Sequence, residues 1–372
     1  MKIFLDVMYD DTKNARKIKS CDYNNKGKYP IIDQSSKNVI GYTDEVDGLY
    51  KDVPVIIFGD HTRRFKLVEE PFFIGADGTK VLKLCSSVYD YKFIYYYLLH
   101  KKIPDTGYNR HFKWVKELEF PEIPRSIQSD IVQKFEVLND LISRKNKLLE
   151  LFDILIKSRF DEMFGDPVIN NKKWTSMNLQ EISIKITSGN TPQGGSRVYI
   201  NHGVLFIRSQ NVWNNRLELD DVVYISESFN EKMKETRLRR NDILITKTGR
   251  FNTENSSLGR CALYTGPDFQ ANINGHVYLV RLKSEYNPNF ILSILTSEAY
   301  KKLIRSVCVG GIDKRQLNKS HIELFPIIIP PIELQNQYIH FLLKINKLKS
   351  DVQKSIDETQ LLMDSLMQEY FG

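Results

Sequence analysis

The chain has 372 residues, 41% hydrophobic and 27% charged, with 19 Gly and 13 Pro, a make-up that excludes wholesale disorder and fibrous repeats. At roughly 100 to 200 residues per domain, this length predicts two or three domains. Lys and Arg number 53 against 46 Asp and Glu, and the resulting +7 permits a polyanionic partner without establishing one.

No window approaches about 18 uncharged apolar residues, and the start, Met-Lys-Ile-Phe-Leu-Asp-Val, lacks a signal-peptide apolar region. A cytoplasmic protein that does not span a membrane is therefore expected. The cysteines (Cys21, Cys85, Cys261, Cys308) are too scattered for a disulfide framework or a zinc knuckle and read as reduced thiols.

In chain order, residues 1–122 alternate short β-rich runs with turns. Val53–Phe58 and Lys80–Leu84 read as strands and Tyr91–Lys101 as a helix. Residues 123–166 follow Pro124 without an internal Gly or Pro. Their apolar residues Ile131, Phe135, Leu138, Ile142, Leu149, Phe152, Ile156 and Met163 step by fours and threes, with Lys145 and Arg159 as polar breaks. That is a heptad seam on a helix of about 38 residues, or about 57 Å. Residues 167–328 are again mixed, with strands expected at Val204–Ile207, Asp242–Thr246 and His276–Leu282 and one helix over Asn289–Val307. Residues 329–372 carry a second seam: Leu334, Tyr338, Phe341, Ile345, Leu348, Val352, Thr359, Leu362, Leu366 and Tyr370. Two such helices cannot leave their apolar seams in water, so they are expected to pair antiparallel with a globular body at each end.

The two tails are copies. Phe164-Gly165 returns as Phe371-Gly372, 207 residues on, and at that offset Pro124 meets Pro331, Gln128 meets Gln335, Asn139 meets Asn346 and Leu155 meets Leu362. The bodies match weakly, Leu5-Asp6-Val7 with Gln180-Glu181-Ile182 and Ile31-Ile32-Asp33 with Phe206-Ile207-Arg208, both at an offset of 175. On that evidence similar tails follow dissimilar bodies, and the fold class is α+β: two mixed globular domains joined by two long helices in an internal repeat.

A catalytic constellation is not found. No Gly-x-x-x-x-Gly-Lys-Ser/Thr loop, His-Glu-x-x-His, Gly-x-Ser-x-Gly or Glu-x-Lys is present, and no two histidines lie at metal-ligand spacing. Asn287-Pro288-Asn289-Phe290 is similar to the Asn-Pro-Pro-Phe/Tyr of amino-methyltransferases but lacks the second proline, and reads as a turn before a helix. Basic and amide side chains, by contrast, gather at strand ends. His61, Arg63, Arg64 and Lys66 follow one strand, and Arg110 falls in the cluster Gly107–His111. In the second half Arg208, Ser209, Gln210 and Asn211 follow a strand; Lys247, Thr248 and Arg250 follow another, and Lys314 and Arg315 lie after Gly310-Gly311. Arg suits guanine edges and Asn or Gln suits adenine. A single basic loop is ordinarily solvated surface, but the arrangement occurs in both halves.

With two variable-looking bodies, two matching seams and these loops, the chain resembles the specificity subunit of type I restriction-modification systems. The resemblance rests on Trp174-x-x-x-x-Leu179-x-Glu-Ile182, Ile186-Thr-Ser-Gly-Asn-Thr-Pro192, Ile207-Arg-Ser-Gln-Asn-Val212, Asp242-Ile-Leu-Ile-Thr-Lys-Thr-Gly249 and Phe325-Pro-Ile-Ile-Ile-Pro-Pro-Ile-Glu-Leu-Gln335. The first half echoes it in Gly27–Asp33, Ile56–Asp60 and Ile123-Pro124…Gln128 but lacks a Thr-Pro turn. The resemblance implies target-recognition domains at 1–122 and 167–328, each reading half of a split site on double-stranded DNA. It also implies docking of methyltransferase subunits, two in number, and of restriction/translocase subunits. No cofactor belongs to this chain on that reading; S-adenosylmethionine, ATP and magnesium are expected in the partners. A nuclease or methyltransferase with an unrecognised site, or a coiled-coil scaffold without DNA, are the alternatives.

Overall fold

The structure, a computed structural model, describes residues 1–107, 109–191, 194–253 and 255–372. Tyr108 of the Gly107 cluster and Pro192 of the Thr191-Pro192 turn fall outside the described residues. The chain divides into two compact units, residues 1–148 with 351–372, and residues 149–350.

In the first unit, four strands run in the order Met8–Asp10, Thr79–Leu84, Val55–Gly59, Phe65–Val68, all antiparallel. Val55–Gly59 is buried along its whole length, as its unbroken apolar run dictates for a central strand. A three-stranded sheet sets Tyr29–Ile32 between Gly41–Thr43, antiparallel, and Phe73–Ile74, parallel. Helix α1, Tyr91–His100, starts where the Asp90 carboxylate accepts from the backbone N–H of Lys92 and Phe93.

The second unit repeats this plan. Its four-stranded sheet has the order Ser183–Ser188, Val277–Leu282, Ile243–Thr246, Cys261–Leu263. Its three-stranded sheet sets Val204–Ile207 between Val223–Ile225, antiparallel, and Ala271–Ile273, parallel. Bodies that read as dissimilar therefore share a strand order, and the weak match of Ile31-Ile32-Asp33 with Phe206-Ile207-Arg208 falls on corresponding strands, Tyr29–Ile32 and Val204–Ile207, whereas Leu5-Asp6-Val7 lies in a short helix and Gln180-Glu181-Ile182 in a turn. The expected single helix over Asn289–Val307 is corrected to two, α2 at Pro288–Leu295 and α3 at Glu298–Val307. Ser297 breaks it: its hydroxyl accepts from the Tyr300 N–H and opens a new helix instead of continuing the old one. Asn287 caps α2 as Asp90 caps α1, accepting from the N–H of Asn289 and Phe290.

The long helices α4, Arg125–Phe164, and α5, Ile332–Phe371, have 40 residues each, or about 60 Å. In the first unit the start of α4 packs on the end of α5: the Phe135 ring stacks on Phe371 at 6.0 Å, and Ile131, Val132, Met363 and Met367 join the same core. In the second unit the end of α4 packs on the start of α5, with Tyr338 meeting Phe160 and Phe164 edge-on at 5.4 and 5.5 Å. Both pairings are antiparallel.

The second seam differs from the expected one at two places. Leu348 and Leu362 are 44% and 50% exposed, while Ile356, Met363 and Met367 face inward. At these places the inward position falls one residue later, at Lys349, whose ammonium meets Asp153, and at Met363, while Val352 and Thr359 keep the expected register. The polar break at Lys145 is a built contact: its ammonium donates to Ser355 O, Ser355 Oγ and Thr359 Oγ1 at 2.8–3.0 Å. The repeated glutamines are buried, and each side-chain amide donates to a carbonyl five residues back, Gln128 to Ile123 at 2.7 Å and Gln335 to Pro330 at 2.8 Å.

Candidate nucleic-acid interface

In the first unit the strands Val55–Gly59 and Phe65–Val68 form a hairpin whose loop carries His61 to Arg64. Gly59 N–H donates to Arg64 O, and Arg63, at φ 59°, donates its own N–H back to Gly59 O. Asp60 is buried beneath the loop and accepts from the Phe112 N–H at 2.7 Å, which ties the loop to the segment after Gly107. His61 Nδ1 lies 3.2 Å from Asn109 O, and Arg63 donates to Asp105 at 2.7 Å. Arg64 and Arg110 are exposed. Lys66 points the other way, its ammonium buried and donating to the carbonyls of Asp33 and Lys37. Burial pulls its pKa down, opposed by Asp33. Arg63, Arg64 and Lys101 also line an open cavity of about 360 Å³ beside α1.

In the second unit two groups of candidates flank the loop Asn274–His276. Strand Val204–Ile207 delivers Arg208 into a short turn, and Asn274 N–H donates to Ile207 O. Arg208 donates to Asp221 Oδ1 at 3.1 Å with its guanidinium 6.0 Å from the Tyr199 ring, and Gln210 donates to the other Asp221 oxygen. Among the described residues, Arg208 Nε is buried without a hydrogen-bond partner. Asn211 is 2% exposed; its amide donates to Glu218 O and Asp221 O and accepts from the Arg208 N–H, so it holds the turn. Ser209 is half-buried within it.

On the other side of the loop, Lys247 N–H donates to His276 O and Thr248 Oγ1 lies 3.4 Å from His276 Nδ1. Strand Thr248–Arg250 then pairs with Lys314–Gln316, in register Arg250 with Lys314 and Gly249 with Arg315. Residues separated by more than sixty positions in the chain thus share one small sheet. Gly189 permits the loop to close: a Cβ there would lie 2.1 Å from Ile273 O and 2.3 Å from Asn274 O. In the run Arg237–Arg240 the Arg237 side chain pairs with Glu231 while its carbonyl accepts from Arg281, which is itself bidentate to buried Asp242 at 2.7–2.8 Å, and Arg239 and Arg240 are exposed.

The sequence reading did not single out Asp221, His276, Trp213 or Arg260. The Arg260 guanidinium stacks 3.7 Å over Trp213, whose indole N–H donates to Gln210 O, so this pair buttresses the Gln210 turn. The Asn274-Gly275 dipeptide was a turn signal that could have drawn attention to His276. Among the described residues, no group of three His, Cys, Asp or Glu could hold a metal ion, and no helix is long and apolar enough to cross a membrane.

Residues 171–359 match the family described as the type I restriction modification DNA specificity domain. A stretch of 222 residues is 22% identical to a protein of Methanocaldococcus jannaschii described as the MjaX type I restriction enzyme specificity subunit, covering 59% of this chain and 50% of that one. A stretch of 131 residues is 28% identical to the EcoR124I/EcoR124II specificity subunit of Escherichia coli, covering 31% of this chain and 32% of that one. The matches thus span half or less of these relatives' own length. Among solved structures, the type I restriction-modification S subunit of M. genitalium superposes with a TM-score of 0.59 at 16% identity, over 100% of this chain and 95% of that one. A chain from a study of complex assembly and conformational transition in the type I system gives 0.58 at 15% identity, over 98% and 94%. These likenesses are likenesses of fold.

Proposed function

Because the chain belongs to the type I restriction modification DNA specificity family, we propose that it is the non-catalytic specificity subunit of such a complex, reading a bipartite sequence on double-stranded DNA. The observation that carries this reading is the duplicated plan: two units of one strand order, each with cationic and amide side chains at its strand ends. In this reading the recognition domains are residues 1–122 and 167–328, and the two helical segments 123–166 and 329–372 are the shared frame.

The partners proposed are two methyltransferase subunits and the restriction/translocase subunits, which bring S-adenosylmethionine, ATP and magnesium. Support for paired docking comes from apolar side chains left exposed at equivalent places on the two helices, Leu141 and Leu348, Ile154 and Leu361, Leu155 and Leu362. A solvated helix face does not ordinarily repeat its leucines in this way.

Among the named candidates, Arg64, Arg110, Lys247, Arg250 and Lys314 are proposed to meet phosphates, and His61, Arg63, Arg208 and Gln210 to approach bases. Expressing the chain with its partner subunits and mapping methylated positions in host DNA tests the role. A split, sequence-defined pattern that vanishes without this chain is expected. Methylation of the same sites in its absence, or methyl transfer or cleavage by the purified chain alone, would overturn it.

A further inference from the structure

The strands Val309–Gly310 and Lys314–Gln316 form an antiparallel ribbon in which Gly310 faces Arg315. Gly311 N–H donates to Lys314 O at 3.1 Å, which leaves Ile312 and Asp313 as a two-residue tip. Ile312 is 87% exposed, the most exposed large apolar side chain among the described residues. A lone exposed isoleucine is ordinary on a protein surface. This one differs in how it is carried.

The tip is braced from three sides. Gly310 sits at φ 133°, where a Cβ would lie 2.7 Å from Lys314 O, so the ribbon needs a glycine to close. Strand Thr248–Arg250 pairs with the outer edge of the ribbon, and Phe251 N–H donates to Asp313 O at 2.6 Å. The Phe251 ring in turn lies between the guanidinium groups of Arg305, at 4.2 Å, and Arg315, at 4.6 Å. Arg250 and Lys314 stand exposed beside the tip, with Arg250 3.7 Å from the carboxylate of Asp313, so a bare apolar group is presented next to two cations and one acid that one of them neutralises.

We propose that Ile312 is a specificity-determining residue of the second unit, entering the DNA major groove at the tip of this ribbon and packing on the C5 methyl of a thymine. The proposal rests on the DNA-reading role above. The turn at residues 311–313 projects beyond the third strand, which ends opposite Lys314, and so narrow a tip fits a major groove about 12 Å wide. Isoleucine has no donor or acceptor, and the thymine methyl is the apolar feature that base edges present there. The flanking cations suit the phosphate walls on either side of that groove.

The test begins with the methylation map of the wild-type complex, which defines the target duplex. Binding of the purified complex is then measured on that duplex with each thymine replaced in turn by deoxyuridine, for wild type, Ile312→Val and Ile312→Ala. One replacement is expected to weaken wild type about fourfold, the worth of one buried methyl. Ile312→Ala should bind the unmodified duplex more weakly by at least that factor and be indifferent to the same replacement, while Ile312→Val keeps most of the sensitivity. Melting temperature should be unchanged, because the side chain packs on nothing in the free protein. Identical uridine sensitivity in wild type and Ile312→Ala, or no sensitive thymine at all, overturns the proposal. A wild-type complex without any sequence preference would instead overturn the DNA-reading role, so the two failures are distinguishable.

Discussion

Asn211 and Arg208 are three residues apart and do different work, and substitution separates them. Truncating Asn211 leaves Glu218 O and the Arg208 N–H short of partners in a buried turn, while Asp221 O keeps the Arg208 guanidinium. Asn211→Ala should therefore cost about 1–3 kcal/mol of stability, read as a lowered unfolding midpoint, while the stable fraction keeps its recognised sequence. Arg208→Ala should relax one position of the methylated site, with a smaller stability loss than Asn211→Ala because its carboxylate partner Asp221 is exposed. Lys66 and Arg64 divide in the same way in the first unit. Arg64→Ala should weaken binding to all duplexes and lower the salt slope by about one, whereas Lys66→Met should leave the slope unchanged, since its ammonium is already held by Asp33 O and Lys37 O. A salt titration of DNA binding for both variants checks this. The residue types at these strand ends were legible in the sequence; their orientation was not. Whether a lysine after a strand turns outward or inward depends on which carbonyls of a distant segment reach it, and Asp33 lies 33 residues from Lys66.

At the scale of elements, the helices were the most legible part, because a long run without Gly or Pro and with steps of three and four admits few other structures. Their interior register was less so. Leu348 and Lys349 are neighbours at the seam's edge, and it is Lys349 that turns toward the other helix and meets Asp153 while Leu348 is 44% exposed, a choice set by the packing of the whole helix pair. The body strands were legible singly but not as a topology, since two- to six-residue strands carry too few residues to reveal which edge they pair. The packing at the helix ends makes a stability prediction. Phe135 and Phe164 are fully buried, each in the core of its own unit, so Phe135→Ala and Phe164→Ala should each destabilise by about 3–5 kcal/mol. Separate hydrogen-exchange readouts for residues 1–148 and 149–350 should place the loss in the first unit for Phe135 and in the second for Phe164.

For the whole molecule, the repeat means that each body has its own sheets and its own core, and the bodies should therefore exchange independently. Replacing residues 167–328 with the matching body of a relative should change one half of the methylated sequence and leave the other half intact. A methylation map in which both halves change would indicate a single composite reading surface. The duplication also carries a hazard, because two helices of equal length with related apolar seams could pair with their own kind, α4 with α4 or α5 with α5 in neighbouring molecules. Lys145 removes that ambiguity. The position equivalent to it in α5 is Val352, and the positions equivalent to its acceptors Ser355 and Thr359 are Leu148 and Phe152 in α4. In a pair of α4 helices the ammonium would face leucine and phenylalanine with no side-chain acceptor to meet it, at a cost of about 1–3 kcal/mol. Sliding one helix by a heptad would set it against Leu348 and Val352 or against Leu362 and Leu366, with the same result. One lysine thus gives a nearly symmetric chain a sense of direction, telling each helix which partner is its own and where along it to stop.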